Sequence, residues 1–235
     1  MTAFSMTPQR DLQWGGFDWS RPTTDLRYNW ASYSALPTGV VCKDAYTGGS
    51  DRTVGFEGLN GGRMYIQLPG SSGAVFLRFD DWALADPDAF HRVIFEIEGI
   101  QFPANSSSNF VFSLRDRANS SQNTSGLLTN ARTDSATKPV IQFNAGGSST
   151  AVSINFDPAD MARNLPHTIG VGYELLKDGT KYILLTYNGA VYYRAIAATL
   201  DLTSAVYPYL QATKTNAGTL NVYSRGARLR LWRYI

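Results

Sequence analysis

The chain reads as an all-β protein built of two packed antiparallel sheets, on three observations. Residues 167–197 run strand, Asp178-Gly179, strand, Asn188-Gly189, strand. Asp-Gly and Asn-Gly are the strongest short-range hairpin signals, because a type I′ turn needs positive φ at both central residues. From residue 39 onward about a dozen short strand-like runs recur between Gly, Asn, Ser and Asp clusters. Finally, Gly (21), Tyr (13) and Phe (12) are abundant while charged residues reach only 17 %, as strands and turns around a real core require.

In chain order, residues 1–38 come first as an extended, aromatic-rich arm, and residues 39–235 as the sandwich domain. The arm holds Trp14, Phe17, Trp19, Tyr28, Trp30 and Tyr33 with no period of 2 or 3.6. It either packs its aromatics along its own domain or docks on a partner subunit, with Trp14, Trp19 and Trp30 as anchors. The predicted strands are Val54–Glu57, Met64–Leu68, Ala74–Asp80, Arg92–Phe102, Asn109–Arg117, Val140–Asn144 and Ala151–Phe156, then the meander, Tyr209–Lys214, Leu220–Tyr223 and Ala227–Ile235. Asp86-Pro87 and Asp157-Pro158 each predict a helical turn, with Asp as N-cap and Pro at the first helical position. Ala118–Lys138, rich in Ser, Asn and Thr, reads as a long loop, with room for a short strand at Gly126–Thr129.

The totals exclude several classes. A net charge of +2 gives no general field for nucleic acid or a membrane surface. No run approaches the roughly 18 apolar residues of a membrane span. Cys42 is the one cysteine, so an internal disulfide and a multi-cysteine zinc site are impossible. Beside Val40 and Val41 it reads as a small buried hydrophobe. His91 and His167 are too few for histidine-rich metal chemistry. Met1–Arg10 has no basic start followed by an apolar run, so no secretory signal is expected, and the Asn-x-Ser/Thr matches at Asn105, Asn119 and Asn123 read as polar loops.

Two stretches carry a resemblance. Pro166-His167-Thr168-Ile169-Gly170-Val171-Gly172-Tyr173 is followed by Leu184-Leu185-Thr186-Tyr187-Asn188-Gly189-Ala190-Val191, and Tyr207-Pro208-Tyr209-Leu210-Gln211 resembles a penultimate strand. Together with the strand count, this resembles the concanavalin A-like lectin/glucanase superfamily over residues 40–235, and implies a jelly-roll sandwich. The superfamily includes lectins, polysaccharide hydrolases and lyases, adhesion modules and phage virion proteins, so the fold leaves function open.

In Arg92–Phe102, period 2 puts Glu96, Glu98 and Ile100 on one face, and Val93, Phe95 and Ile97 on the other. The resemblance implies a glucanase strand Glu-x-Asp-x-x-Glu here, with Glu96 as nucleophile, Glu98 in the middle and Gln101 where the acid/base should stand. Gln101 cannot exchange a proton as a carboxylic acid does, and retaining hydrolysis needs two carboxyls about 5–5.5 Å apart. The simpler reading puts Glu96 and Glu98 on the polar face of a half-exposed strand. Asp80-Asp81 could bind Ca²⁺ or form a solvated loop. Trp82 either stacks on a sugar or caps the core, and Tyr187, Asn188 and Tyr192 could hold a sugar beside their turn. Arg228 and Arg230 share a strand face with Trp232 and Tyr234, either solvated or as a partner contact.

The expectation is therefore a non-catalytic recognition or structural protein without a cofactor. Its suggested setting is a phage virion (tail, fibre or head decoration), as a homo-oligomer among other virion subunits, with the cytoplasm as the alternative location. A lectin-like module binding cell-surface glycan is the alternative function, and a glycoside hydrolase using Glu96 the third.

Overall fold

The computed structural model describes residues 21–44, 53–57, 62–68, 73–101, 108–116, 127–133, 141–145, 155–156, 165–198, 200, 202–214 and 220–233. In chain order its strands are β1 (Thr24–Asn29), β2 (Val40–Asp44), β3 (Thr53–Glu57), β4 (Arg63–Leu68), β5 (Gly73–Phe79) and β6 (Phe90–Ile100). There follow β7 (Ser108–Asp116), β8 (Leu127–Thr133), β9 (Ile141–Ala145), β10 (Asn155–Phe156) and β11 (His167–Leu175). The last are β12 (Lys181–Tyr187), β13 (Ala190–Ile196), β14 (Val206–Lys214), β15 (Leu220–Ser224) and β16 (Gly226–Arg233).

The strands form a six-stranded sheet β1-β16-β6-β11-β12-β13, a seven-stranded sheet β10-β9-β8-β7-β14-β5-β2 and a small sheet β15-β4-β3. Every pairing is antiparallel. The expected all-β sandwich is what forms. No helix of the described residues is long and apolar enough to cross a membrane.

Alternation decides the core. Val93, Phe95 and Ile97 of β6, Ile169, Val171 and Tyr173 of β11, and Ala227, Leu229 and Leu231 of β16 point inward from the six-stranded sheet. Val75, Leu77 and Phe79 of β5, Leu114 of β7, and Val206, Leu210 and Ala212 of β14 meet them from the other sheet. At one edge, rings stack in series. Tyr28 lies 4.7 Å from Trp82, Trp82 lies 5.0 Å from Phe79, and Tyr28 lies 5.6 Å from Trp30. Trp30 Nε1 donates to Ser224 Oγ (2.7 Å), which ties the small sheet to the same cluster.

Several expectations are corrected. Thr24–Asn29, read as part of an arm, is an edge strand of the six-stranded sheet, with Leu26 opposite Leu229. Trp30 is 1 % exposed in the core and so presents no ring to a partner, while Trp14 and Trp19 lie outside the described residues. Cys42, read as buried, is exposed on the edge strand β2. The Asn188-Gly189 turn has positive φ at both positions, 48° and 86°, as type I′ requires. At Asp178-Gly179 only Gly179 is positive (84°). Gly179 N donates to Leu176 O (3.0 Å) and Asp178 Oδ1 accepts from Thr180 N (2.8 Å), so this hairpin uses a three-residue loop instead.

The Asp86-Pro87 turn is a 3₁₀ turn over Pro87–Ala89, closed by the Asp86 carbonyl rather than its side chain. Asp157-Pro158 lies outside the described residues. Within the expected loop Ala118–Lys138, β8 is a seven-residue strand.

Gly172 of β11 packs so closely on β6 that a Cβ there would stand 1.9 Å from the Val93 carbonyl oxygen. Gly172→Ala is expected to destabilise the fold by at least about 2 kcal/mol, because a backbone atom cannot step aside as a side chain can. Urea denaturation against the unsubstituted chain measures the loss.

Candidate functional site

The outer face of the six-stranded sheet carries most of the charged residues the sequence singled out. Glu96 was expected half-exposed, and it is 2 % exposed. Its neighbour across β11 is Gly170, where a Cβ would lie 2.5 Å from Glu96 Cγ. Without that Cβ the carboxylate spans the strand. Its Oε1 accepts from Thr186 Oγ1 (3.0 Å) and from Arg230 Nη2 (2.7 Å). Glu98 accepts from Arg27 (2.7 Å), and Arg228 forms a two-pronged pair with Asp25 (2.8 and 2.5 Å). Glu174 joins Arg92 and Arg194, both at 2.5 Å. Trp232 is 3 % exposed, with the guanidinium carbons of Arg92 and Arg230 each 5.5 Å from its ring.

The expected face pattern of β6 fails at its end. Gly99 adopts φ 60° and the pairing shifts register between His167 and Ile169, so Ile100 turns into the core. Gln101, past this bulge, accepts from Arg63 Nη1 (2.9 Å). Glu96, Glu98 and Gln101 are thus each bonded to a different arginine. Arg228 and Arg230, read as partner contacts, are bonded to carboxylates of their own sheet.

Trp82 is 5 % exposed and caps the core, as the simpler reading had it. A cleft of about 290 Å³ borders it beside Asp81, whose Oδ2 accepts from Tyr28 (3.3 Å). Burial, followed by the Asp81 charge, pushes the Tyr28 hydroxyl up to about 12. Asp80 pairs with Arg78, and no group of three metal-ligating side chains occurs among the described residues.

At the β12–β13 turn, Tyr187 bonds His167 Nδ1 (2.9 Å) and lies 6.5 Å edge-on from Tyr192. Asn188 ties the turn to β11, exchanging bonds with the Thr168 backbone (2.7 and 3.0 Å). Tyr192, 52 % exposed, is the extra residue of a bulge opposite Leu185 and Thr186. The structure thus brings Tyr187 and Tyr192 together and commits the Asn188 side chain to β11.

Sequence reading missed the outer face of the seven-stranded sheet. On β14, Val206, Leu210 and Ala212 point inward, so Tyr207, Tyr209 and Gln211 point away from the core. Register sets Tyr207 opposite Arg115, Tyr209 between Ser113 and Arg78, and Gln211 opposite Phe76. Ser113, Arg115, Arg78, Tyr209 and Gln211 are all buried, while Tyr207 is half-buried and the Asp80 side chain is 32 % exposed.

The two guanidiniums of this face differ. Arg78 pairs with Asp80, including a 2.7 Å bond from Nη2, and that hydrogen bond holds its pKa above the ordinary value. Arg115 is 3 % exposed and donates only a long bond (3.3 Å) from Nη2 to Gln211. Its Nε and Nη1 are buried without a hydrogen-bond partner, as is Ser113 Oγ. Desolvation pulls its pKa down to about 10. It lies 5.5 Å from the Tyr209 ring, and Arg78 lies 5.6 Å from that of Tyr207. Burial raises the Tyr209 hydroxyl, against the pull of Arg78 and Arg115.

This face joins a planar donor fork, a hydroxyl and an amide to two phenol rings. Such a set can hold a polyhydroxylated ring, with its polar edge on the donors and its apolar face on an aromatic. The usable signals were the alternation Tyr207-Pro208-Tyr209-Leu210-Gln211 and the arginines inside two apolar strands.

The sequence matches no protein-family model, and no curated protein matches it. Solved structures show the fold. The Emp47p carbohydrate recognition domain superposes with a TM-score of 0.57 at 12 % identity, covering 92 % of this chain and 100 % of that one. The CBM2 module of the Lactobacillus casei BL23 phage J-1 evolved Dit gives 0.56 at 12 %, covering 90 % and 98 %. A Bacteroides ovatus mixed-linkage glucan GH16 protein, in complex with a glucan product, gives 0.58 at 10 %, covering 87 % and 99 %. The chain therefore has the concanavalin A-like jelly-roll fold that the resemblance implied.

Two outcomes test the charge pairs. Glu96→Ala is expected to cost about 3 kcal/mol in chemical denaturation, because the half-buried Arg230 beside it loses its counter-charge. The Arg228 guanidinium holds the Asp25 carboxyl below its ordinary 3.8. That pair contributes stability above pH 3.8, and the contribution fades as pH falls through the lowered folded-state value. Comparing denaturation at about pH 6 and about pH 3 should show a smaller acid-side loss in Arg228→Leu than in the unsubstituted chain.

Proposed function

We propose that the chain is a carbohydrate-binding β-sandwich that holds a glycan against the outer face of its seven-stranded sheet. The observation that carries this is the set of buried donors without hydrogen-bond partners, Arg115 Nε and Nη1 and Ser113 Oγ, beside the rings of Tyr207 and Tyr209. Burying unpartnered donors is costly, and a ligand that supplies acceptors recovers that cost. The half-buried Tyr207 gives a sugar face a ring to stack on. Two of the similar folds, the Emp47p domain and the phage J-1 module, are named for carbohydrate recognition or as a CBM2 module. They favour glycan binding over a purely structural role.

The chain acts in this reading as a binder rather than a hydrolase. Glu96 is tied to Arg230 and Thr186, and the third position of the glucanase-like strand is Gln101, bonded to Arg63. The phage J-1 likeness also favours a second statement, that the setting is a phage particle in which the chain recognises a cell-surface glycan as one copy of an oligomer. Light scattering that returns a monomer at all concentrations would remove the oligomer from that picture.

A glycan array probed with the full chain tests the main reading. Binding to at least one glycan class is expected, with Tyr207→Ala weakening it by about 10-fold, the worth of one aromatic contact. A blank array at high protein concentration overturns the proposal. So does release of sugar from β-glucans that disappears in Glu96→Gln.

A further inference from the structure

We infer that the glycan taken by the seven-stranded face is acidic, carrying a carboxylate, phosphate or sulfate that docks on Arg115. This rests on the glycan-binding reading and names the chemistry of that same site. Among the described arginines, Arg115 stands apart. Arg228, Arg230, Arg92, Arg194, Arg27 and Arg78 each face a carboxylate within their own sheet or turn. Arg115 is buried more deeply than any of these six, at 3 % exposure, and faces no carboxylate among the described residues.

A buried guanidinium without a counter-charge is strongly disfavoured, and the described residues supply none. Across its strand pairs stand a phenol, Tyr207, and more distantly Gln211 and Tyr209, all neutral. Among the described residues near this face the acid is Asp80, which pairs with Arg78. The vacant donors are Nε and Nη1, and Nη2 has a second N–H besides the one in its long bond to Gln211. One of the two guanidinium forks, Nε with Nη2 or Nη1 with Nη2, therefore fits the two oxygens of a carboxylate, or two oxygens of a phosphate or sulfate. Ser113 Oγ, also without a partner, can meet a hydroxyl of the same sugar unit. Tyr207 lies directly opposite Arg115 and is half-buried, so its ring is the approach from solvent to the fork.

The test uses the full chain in isothermal titration with paired probes. One pair is oligogalacturonate and its fully methyl-esterified form. The others are a phosphorylated and a sulfated oligosaccharide, each with its neutral counterpart. An acidic member should bind about 10- to 100-fold more tightly than its neutral partner, the range expected of hydrogen bonds to charged groups. The pair that shows the preference identifies the acidic group. Arg115→Met, which keeps the volume and removes the charge, should erase the preference while leaving the unliganded melting temperature unchanged or raised.

Equal binding of acidic and neutral members overturns the inference and leaves glycan binding standing. Absence of binding to every probe and on the array overturns both. A preference that survives Arg115→Met overturns the assignment to this residue. A fall in melting temperature with unaltered binding overturns it too, by making Arg115 structural. Arg115→Lys, which keeps the charge but loses the fork, should retain part of the preference and so separates charge from geometry.

Discussion

The three sheets meet at one run of stacked rings. Tyr28 comes from the edge strand of the six-stranded sheet, Phe79 from the seven-stranded sheet, and Trp82 from the turn after it. Trp30 extends the run to the small sheet through Phe56 and Ser224, and Phe95 closes it from the centre of the six-stranded sheet. Rings of this size bury more area than any aliphatic residue, and their offset and edge-on contacts add direction to that burial. The cluster therefore does more than fill space. It holds the sheets in one mutual position, and both outer faces inherit their shape from it.

Those two outer faces handle charge in opposite ways. On the six-stranded sheet, every carboxylate discussed meets an arginine one or two strands away, and Gly170 lets Glu96 reach across a whole strand to do so. Burial there is tolerable because each charge has its opposite beside it. On the seven-stranded sheet Arg78 is matched by Asp80, while Arg115 faces no carboxylate among the described residues. Arg115 and Ser113 keep donors turned toward nothing within the described residues. Donors are left over on both faces, on the six-stranded one at Arg194 Nε, Arg230 Nε and Trp232 Nε1, so the difference lies in charge. A guanidinium held by its carboxylate reads as architecture, and the buried Arg115, with none among the described residues, reads as a place for something else. This contrast, more than any similarity of fold, points to the seven-stranded sheet as the working surface, since the same jelly roll carries recognition domains and a glucan-bound GH16 protein alike.

The architecture was legible because β structure writes itself locally. Alternation along Val93–Ile97 and Ala227–Trp232, and the Asn188-Gly189 turn, are properties of adjacent residues, and the structure keeps them. The misreadings share one cause. Ile100 left its expected face because Gly99 takes a positive φ, and Trp30 left the surface because β1 pairs with the far end of the chain. Glu96 was legible as a residue of the polar face, yet its burial depends on Arg230 and Thr186, which approach from β16 and β12.

By itself, then, the sequence determined the strand character of the chain, the two-sidedness of its strands and its hairpins, because these follow from neighbours along the backbone. The tertiary structure decided which side chains meet. Ser113 and Arg115 on β7, Tyr207 and Tyr209 on β14, and Arg78 on β5 belong to segments far apart in sequence that only hydrogen-bonded register brings side by side. Whether a buried arginine finds a carboxylate or is left without one is settled by that register, and no local pattern of residues encodes it.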